Sequence, residues 1–271
     1  MTAIAETFRR LENRGEAALI GYVTAGDPEP QLTPLIADAL IKGGVDIVEL
    51  GLPFSDPIAD GPTIQAASVR ALGAGTTPRK VMDIAKEIRK HYDTPVVVMT
   101  YYNPVFRMGL DNFFRLAKDC MVDGIIVPDL PVEEAGDYRQ AASVHGVDTI
   151  FLAAPSTSPQ RLRRIVECTS GFLYLVSHFG VTGTKASVEE STIQLVRSVL
   201  RFTKGRVPLA VGFGVSKPEH ARCIIEVGAD GVIVGSAFVN IIQRNQDRIG
   251  KMLEEVEGTA RRLKDATKRS K

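Results

Sequence analysis

Gly44-Val45-Asp46-Ile47-Val48-Glu49-Leu50-Gly51 closes one pattern and opens another. Ahead of it, Leu32, Leu35, Ile36, Ala39 and Leu40 recur at helical spacing, and within it lies a short apolar run. Glycine ends a helix in a left-handed turn, and an uninterrupted apolar run suits a strand covered on both faces. The same punctuation returns as Met121-Val122-Asp123, Gly146-Val147-Asp148 and Gly228-Ala229-Asp230, each leading into an apolar run. With 47–50 those runs are 125–127, 149–152 and 232–234. Four more fit between them, at 19–23, 96–100, 172–176 and 207–211. Eight runs alternating with helical patterns imply parallel pairing through right-handed crossovers. Units of about thirty residues favour a closed (β/α)8 TIM barrel, with an open doubly wound sheet as the alternative.

Helix starts are legible between the runs. Thr77-Pro78 and Ser158-Pro159 place a capping residue before proline, while Ser187-Val188-Glu189-Glu190 and Ser216-Lys217-Pro218-Glu219 read as capping boxes. Residues 1–14 form an extra N-terminal helix with Ile4, Phe8 and Leu11 on one face, and carry no pattern of a signal peptide. Residues 245–271, with Ile249, Leu253 and Val256 at helical spacing, read as a last outer helix with a frayed end. No linker divides the chain, so residues 1–271 are expected to make one domain.

Composition narrows the function. A net charge of +1 gives no electrostatic reason for a nucleic-acid or membrane partner, and no apolar run approaches a membrane span. The three cysteines, Cys120, Cys168 and Cys223, form no C-x-x-C pair and point to buried thiols in the cytoplasm. The four histidines show no ligand spacing, so no metal is expected. Every lysine falls on a helix, turn or loop, which speaks against a strand-end Schiff base.

In such a barrel the active site lies at the C-terminal ends of the strands. Glu49 stands one residue from the end of its run, where partial desolvation raises a carboxyl toward the range useful for proton transfer. Its bland reading is a core carboxylate satisfied by backbone. Asp56 and Asp60 follow in a loop dense in proline; either turn-making or a second carboxylate dividing acid and base roles fits them. Glycines cluster after the last three runs, at Gly180 to Gly183, Gly212 to Gly214 and Gly235-Ser236. Glycine lets backbone N–H groups approach an anion, so these loops read as a phosphate cradle.

The run Glu49-Leu50-Gly51-Leu52-Pro53-Phe54-Ser55-Asp56-Pro57-Ile58-Ala59-Asp60-Gly61-Pro62 resembles the signature of the tryptophan synthase alpha chain family. Agreement extends through Gly21-Tyr22-Val23-Thr24-Ala25-Gly26-Asp27-Pro28, Tyr102-Asn103-Pro104, Pro128-Asp129-Leu130-Pro131, 177–183 and Gly212-Phe213-Gly214. The resemblance implies a carbon–carbon lyase of tryptophan biosynthesis that cleaves indole-3-glycerol phosphate to indole and glyceraldehyde 3-phosphate. By position it implies Glu49 as general acid/base, Asp60 as acceptor of the indole N–H, and Tyr174 as a hydroxyl beside them. Gly183, Gly212, Phe213, Gly214, Gly235 and Ser236 become the substrate- and phosphate-binding set, and Thr182 the residue that meets Asp60 on loop closure. His178-Phe179 departs from an arginine carried there by some members. The resemblance further implies no cofactor in this chain and an α2β2 heterotetramer with a pyridoxal-phosphate beta chain. The docking face would include Pro53, Asp56, Asn103, Phe106, Asp129 and Pro131. Related readings remain open: another phosphate-binding barrel, or a scaffold that only activates a partner. The loops bearing Asp60 and Thr182 are expected to be mobile in the isolated chain.

Overall fold

A computed structural model of the chain describes residues 1–176, 185–212 and 214–269. All its sheet strands are parallel: β1 (Ala18–Thr24), β2 (Ile47–Gly51), β3 (Val96–Met99), β4 (Gly124–Ile126), β5 (Asp148–Ile150), β6 (Leu152–Ala153), β7 (Leu173–Val176), β8 (Leu209–Gly212) and β9 (Gly231–Val234). Their order is β5-β4-β3-β2-β1-β9-β8-β7-β6. The two edges of that sheet, β5 and β6, are halves of one predicted run, interrupted only at Phe151. Its carbonyl accepts from Tyr174 N–H at 3.0 Å, so the seam is bonded across. The sheet therefore closes as an eight-stave barrel with one stave broken, and the open doubly wound alternative is excluded.

Inward and outward residues alternate along the staves. Ala18, Ile20, Ile47, Val97, Ile126, Ile150, Phe172, Tyr174, Ala210 and Ile233 cluster in the interior. Leu19, Val48, Leu50, Val96, Val98, Ile125, Leu173, Leu175, Val211 and Val232 pack outward beneath the helices. The helix Ala3–Asn13 plugs the N-terminal mouth with Ile4, Phe8 and Leu11, all buried in the interior cluster. Phe8 meets Phe172 with ring centroids 5.9 Å apart.

The repeated aspartates fasten this end. Asp46 accepts from Leu19 N–H (2.8 Å), Asp123 from Val96 N–H (2.9 Å) and Asp230 from Leu209 N–H (2.9 Å), each tying the start of one stave to its neighbour. Gly44, Gly146 and Gly228 have the expected positive φ, and so does Met121, at 58°.

Several local expectations shift. The run 207–211 starts as a strand only at Leu209, because Pro208 has no N–H to give the ladder. Thr77 and Ser158 cap their helices as read, accepting from Lys80 and Arg161 N–H. Ser216 does not: the helix Pro218–Val227 is capped by Lys217 without a side-chain bond, and Ser216 lies on a cavity wall instead. Ser187 falls inside the helix Lys185–Thr203 rather than at its start.

The C-terminal region is not frayed through Arg269. The helix Ile249–Asp265 buries Met252, Val256, Ala260 and Leu263, leaving Ile249 exposed. It crosses the helix Thr33–Lys42 closely enough that a Cβ at Gly43 would fall 2.4 Å from the Ala260 methyl. Lys264 then bridges Glu16 and Asp46, each at 2.9 Å, and Lys268 pairs with Glu16 through a β-bridge. The end is sewn to the first strand. No helix of the described residues is long and apolar enough to cross a membrane.

Candidate active site

Three inner rows carry, toward the C-terminal mouth, a polar side chain the apolar interior has no use for. On β2 the inner row reads Ile47, Glu49, Gly51; on β1 it reads Ala18, Ile20, Tyr22; on β7 it reads Phe172, Tyr174. Glu49 thus stands directly above an apolar layer. It is 0% exposed, and neither carboxyl oxygen has a hydrogen-bond partner among the described residues. Backbone does not satisfy it, which removes the bland reading. Desolvation, reinforced by the charge of Asp60, pushes its pKa up to about 8.

Asp60 comes from the loop between β2 and the helix Pro62–Gly73. Burial raises its pKa to about 6, against the lowering effect of a hydrogen bond donated by the Tyr101 hydroxyl. Near neutrality Glu49 therefore keeps its proton and Asp60 loses its own. The two carboxyls are driven to opposite protonation states by their surroundings.

Two phenols flank them. Tyr174 and Tyr22 are buried, and desolvation holds both well above the usual phenol range, with Glu49 adding to Tyr174 and Asp60 to Tyr22. Both remain protonated donors. Tyr22 Oη lies 3.3 Å from Thr24 Oγ1 and fills the space beside Gly51, where a Cβ would fall 2.1 Å from it.

These groups share a cavity of about 340 Å³. Ile64, Met99 and Ile233 form its apolar walls. Its far side is polar: Gly214, Ser216, Gly235 and Ser236, the last two starting the helix Ser236–Arg244. A helix start directs unpaired N–H groups and a positive dipole end at whatever sits before it. The cavity therefore combines groups suited to proton transfer, apolar walls and a helix start suited to an anion. A larger cleft, about 730 Å³, opens at the opposite end of the barrel among charged side chains such as Arg9, Arg201 and Arg206. Helix C-termini meet there, and such cations offset their dipoles.

The structure brings Glu49, Asp60, Tyr174, Gly214, Gly235 and Ser236 together as the cavity lining. Gly212 does not line it. A Cβ there would fall 2.6 Å from the Tyr174 ring, so its bareness makes room for that phenol rather than for an anion. Thr182, Gly183, Phe213 and the pair His178-Phe179 lie outside the described residues. Of the proposed docking residues, Asp56, Asn103, Phe106, Asp129 and Pro131 are exposed at this mouth, Phe106 at 66%. Pro53 is buried and offers no surface. Asn103 and Phe106 sit on a short helix, Tyr102–Met108, rather than in a loop. Tyr22 and Tyr101 were not singled out from the sequence; the only signal for them is a polar aromatic ending an apolar run.

Of the two loops expected to be mobile, that bearing Thr182 lies outside the described residues, and that bearing Asp60 makes three hydrogen bonds. Asp60 N–H bonds Pro57 O at 3.1 Å, Gln65 Nε2 bonds Asp60 O at 2.8 Å, and Ala59 N–H bonds Tyr101 Oη at 2.9 Å.

With this geometry in place, the comparison with known proteins decides the family. The sequence matches the profile described as tryptophan synthase alpha chain over residues 8–268. The chain belongs to the tryptophan synthase alpha chain family. It is 48% identical to the tryptophan synthase alpha chain of Methanosarcina barkeri, covering 98% of both chains, and 44% identical to that of Arabidopsis thaliana, covering 97% and 94%. Among solved structures, the tryptophan synthase alpha chain of Legionella pneumophila superposes with a TM-score of 0.88 at 35% identity, over 98% and 97% of the two chains. A chain of the tryptophan synthase α2β2 complex from Pyrococcus furiosus does so with a TM-score of 0.84 at 43% identity, over 92% and 98%.

Proposed function

We propose that this chain is a cytoplasmic carbon–carbon lyase that reversibly cleaves indole-3-glycerol phosphate to indole and glyceraldehyde 3-phosphate, and that it passes the indole to a tryptophan synthase beta chain. The observation carrying this is the buried Glu49, with no hydrogen-bond partner among the described residues, lining one cavity with the more acidic Asp60. Protonated Glu49 delivers its proton to C3 of the indole ring. Positive charge develops at the ring nitrogen, whose N–H donates to the Asp60 carboxylate, and that interaction strengthens as the charge grows. The bond from C3 to the glycerol phosphate chain then breaks and its electron pair restores the indole. The adjacent hydroxyl becomes the aldehyde and returns a proton to the Glu49 carboxylate. Glu49 ends as it began, and the protonated ring serves as the electron sink.

Tyr174 and Tyr22 supply hydroxyls beside the pair, while Ile64 and Met99 suit the ring. The phosphate is assigned to Gly235-Ser236 and Gly214, with Gly183 added by the family resemblance alone, which also sets Phe213 against the ring. Thr182 is assigned to meet Asp60 on closure on the same ground. This chain needs no organic cofactor for the cleavage; pyridoxal phosphate belongs to the beta chain. The exposed residues Asp56, Asn103, Phe106, Asp129 and Pro131 are proposed as the docking face of an α2β2 assembly. Indole release from indole-3-glycerol phosphate, followed with and without a beta chain, tests the reading. Release that increases when the beta chain is added is expected; no indole in either arm overturns it.

A further inference from the structure

One side chain outside the cavity lining touches the Asp60 loop three times. Tyr101, at the end of β3, is buried. Its ring stacks on Phe54 with centroids 5.2 Å apart and planes 26° from parallel. Its hydroxyl oxygen accepts from Ala59 N–H at 2.9 Å while its proton is donated to the Asp60 carboxylate. The hydroxyl's single proton is therefore committed to Asp60, and the loop is gripped at 54, 59 and 60. Tyr101 itself cannot drift. Thr100 N–H bonds Ile126 O at 2.9 Å on one side, and on the other Tyr102 N–H donates to Asp129 Oδ1 at 2.9 Å. Tyr101 is also the N-cap of the helix Tyr102–Met108, whose exposed Asn103 and Phe106 flank the same mouth. Three strand-end segments, after β2, β3 and β4, are thus joined through the Tyr101 phenol and the adjacent Tyr102 N–H.

We propose that Tyr101 is the positioning residue of the Asp60 carboxylate, and that it couples Asp60 to the segments bearing Asn103, Phe106 and Asp129. The proposal deepens the function assigned above and rests on it for its kinetic consequence alone. A load on the helix Tyr102–Met108 or on Asp129 reaches Asp60 through Tyr101, whose ring is buried and stacked on Phe54. Removing the donor disfavours the charged carboxylate: the bond to Tyr101 lowers the pKa that burial raises, so without it Asp60 takes up its proton at higher pH.

The test is Tyr101→Phe, which keeps the ring on Phe54 and deletes the latch. Asp60 is titrated by carbon-13 NMR of aspartate-labelled protein, its signal assigned by absence from Asp60→Asn. In Tyr101→Phe the Asp60 titration is expected to move up from about 6, and the acidic limb of kcat/KM to move with it. The kcat should fall roughly tenfold to a hundredfold, the span of one lost charge-assisted bond, while KM changes less. Asp129→Ala, which frees Tyr102 N–H, should shift Asp60 in the same direction by less. An unmoved Asp60 titration in folded Tyr101→Phe overturns the positioning role; an unmoved titration in Asp129→Ala overturns the coupling. Absence of indole release by the unmodified protein defeats only the function assigned above, since the titration reads the latch without turnover.

Discussion

At the scale of single residues, chemistry follows from how differently two carboxyls are enclosed. Glu49 needs its proton and Asp60 needs to be without one. Because their pKa values lie at about 8 and about 6, kcat/KM should trace a bell with limbs near those values, belonging to the pair rather than to either group. A profile flat between pH 5 and 9 would defeat the assignment. Glu49→Gln keeps the shape and removes the transfer, so kcat should fall by about 10²–10⁴ with substrate binding little changed. The same variant carries a stability prediction of definite sign. In the folded protein Glu49 holds its proton far above the ordinary value of 4.5. Its neutral form is therefore tolerated at low pH, and stability is lost as pH rises from about 4.5 through about 8. Glutamine imitates the protonated acid and escapes that loss. Thermal melts should find Glu49→Gln more stable than the parent at pH 8 to 9, with the gap closing near pH 4.

At the scale of elements, backbone geometry and close approach make separable predictions. Met121 occupies the left-handed turn that glycine takes at the equivalent points of the repeat, at φ 58° and with its side chain partly in solvent. Met121→Gly should relieve that strain and stabilise the fold by about 0.5–1 kcal/mol, net of the added freedom of the unfolded chain. A shift of the urea midpoint with unchanged slope is the measure; a lower midpoint would show that Met121 contributes packing instead. Gly212 and Gly235, similar in sequence, should part company. Alanine at Gly212 drives into the Tyr174 ring at 2.6 Å and must displace a buried phenol, so kcat and stability should fall. Alanine at Gly235 meets the Tyr22 ring at 3.1 Å and stands at the start of the helix Ser236–Arg244, so KM should rise more than kcat falls. Equal kinetic changes in the two variants would remove the distinction.

At the scale of the whole molecule, the N-terminal helix and the active site share one interior. Phe8 packs on Phe172, Phe172 lies one inner position below Tyr174, and Tyr174 stands beside Glu49. The plug at one mouth therefore completes the apolar layer that keeps water from the carboxyl at the other. Phe8→Ala should cost about 3–5 kcal/mol by transfer and cavity terms. It should also admit water beneath Glu49 and move the basic limb of the pH profile downward, toward the ordinary carboxyl range. Loss of stability with an unmoved limb would confine Phe8 to packing.

The sequence by itself determined the parallel α/β layering and favoured a barrel; the seam closed between Phe151 and Tyr174 decided it against the open sheet. Eight apolar runs, four of them opened by a recurring turn and separated by amphipathic stretches, leave little choice but parallel staves under a layer of helices, and that pattern is local enough to read residue by residue. It also placed Glu49 at a strand end and Asp60 in the loop beyond, since strand ends are where such barrels expose side chains. What the sequence left open was whatever depends on residues far apart in the chain. Whether Glu49 is satisfied or stranded rests on the layer made by Ile20, Ile47, Phe172 and Ile233, which only closure assembles. Gly212 reads as an anion loop until Tyr174 is seen to occupy its missing side chain. Asp46, Asp123 and Asp230 read as punctuation until their carboxylates are found on a neighbouring stave's N–H. The end after Asp265 reads as frayed because its partners, Gly15 to Ala17, lie some 250 residues earlier. Tyr101 gives no sign of its office until the loop after β2 folds back onto it. Periodicity records which face of an element is buried; only the tertiary structure decides what that face is buried against, and the acidity and placement of every group in the cavity follow from that.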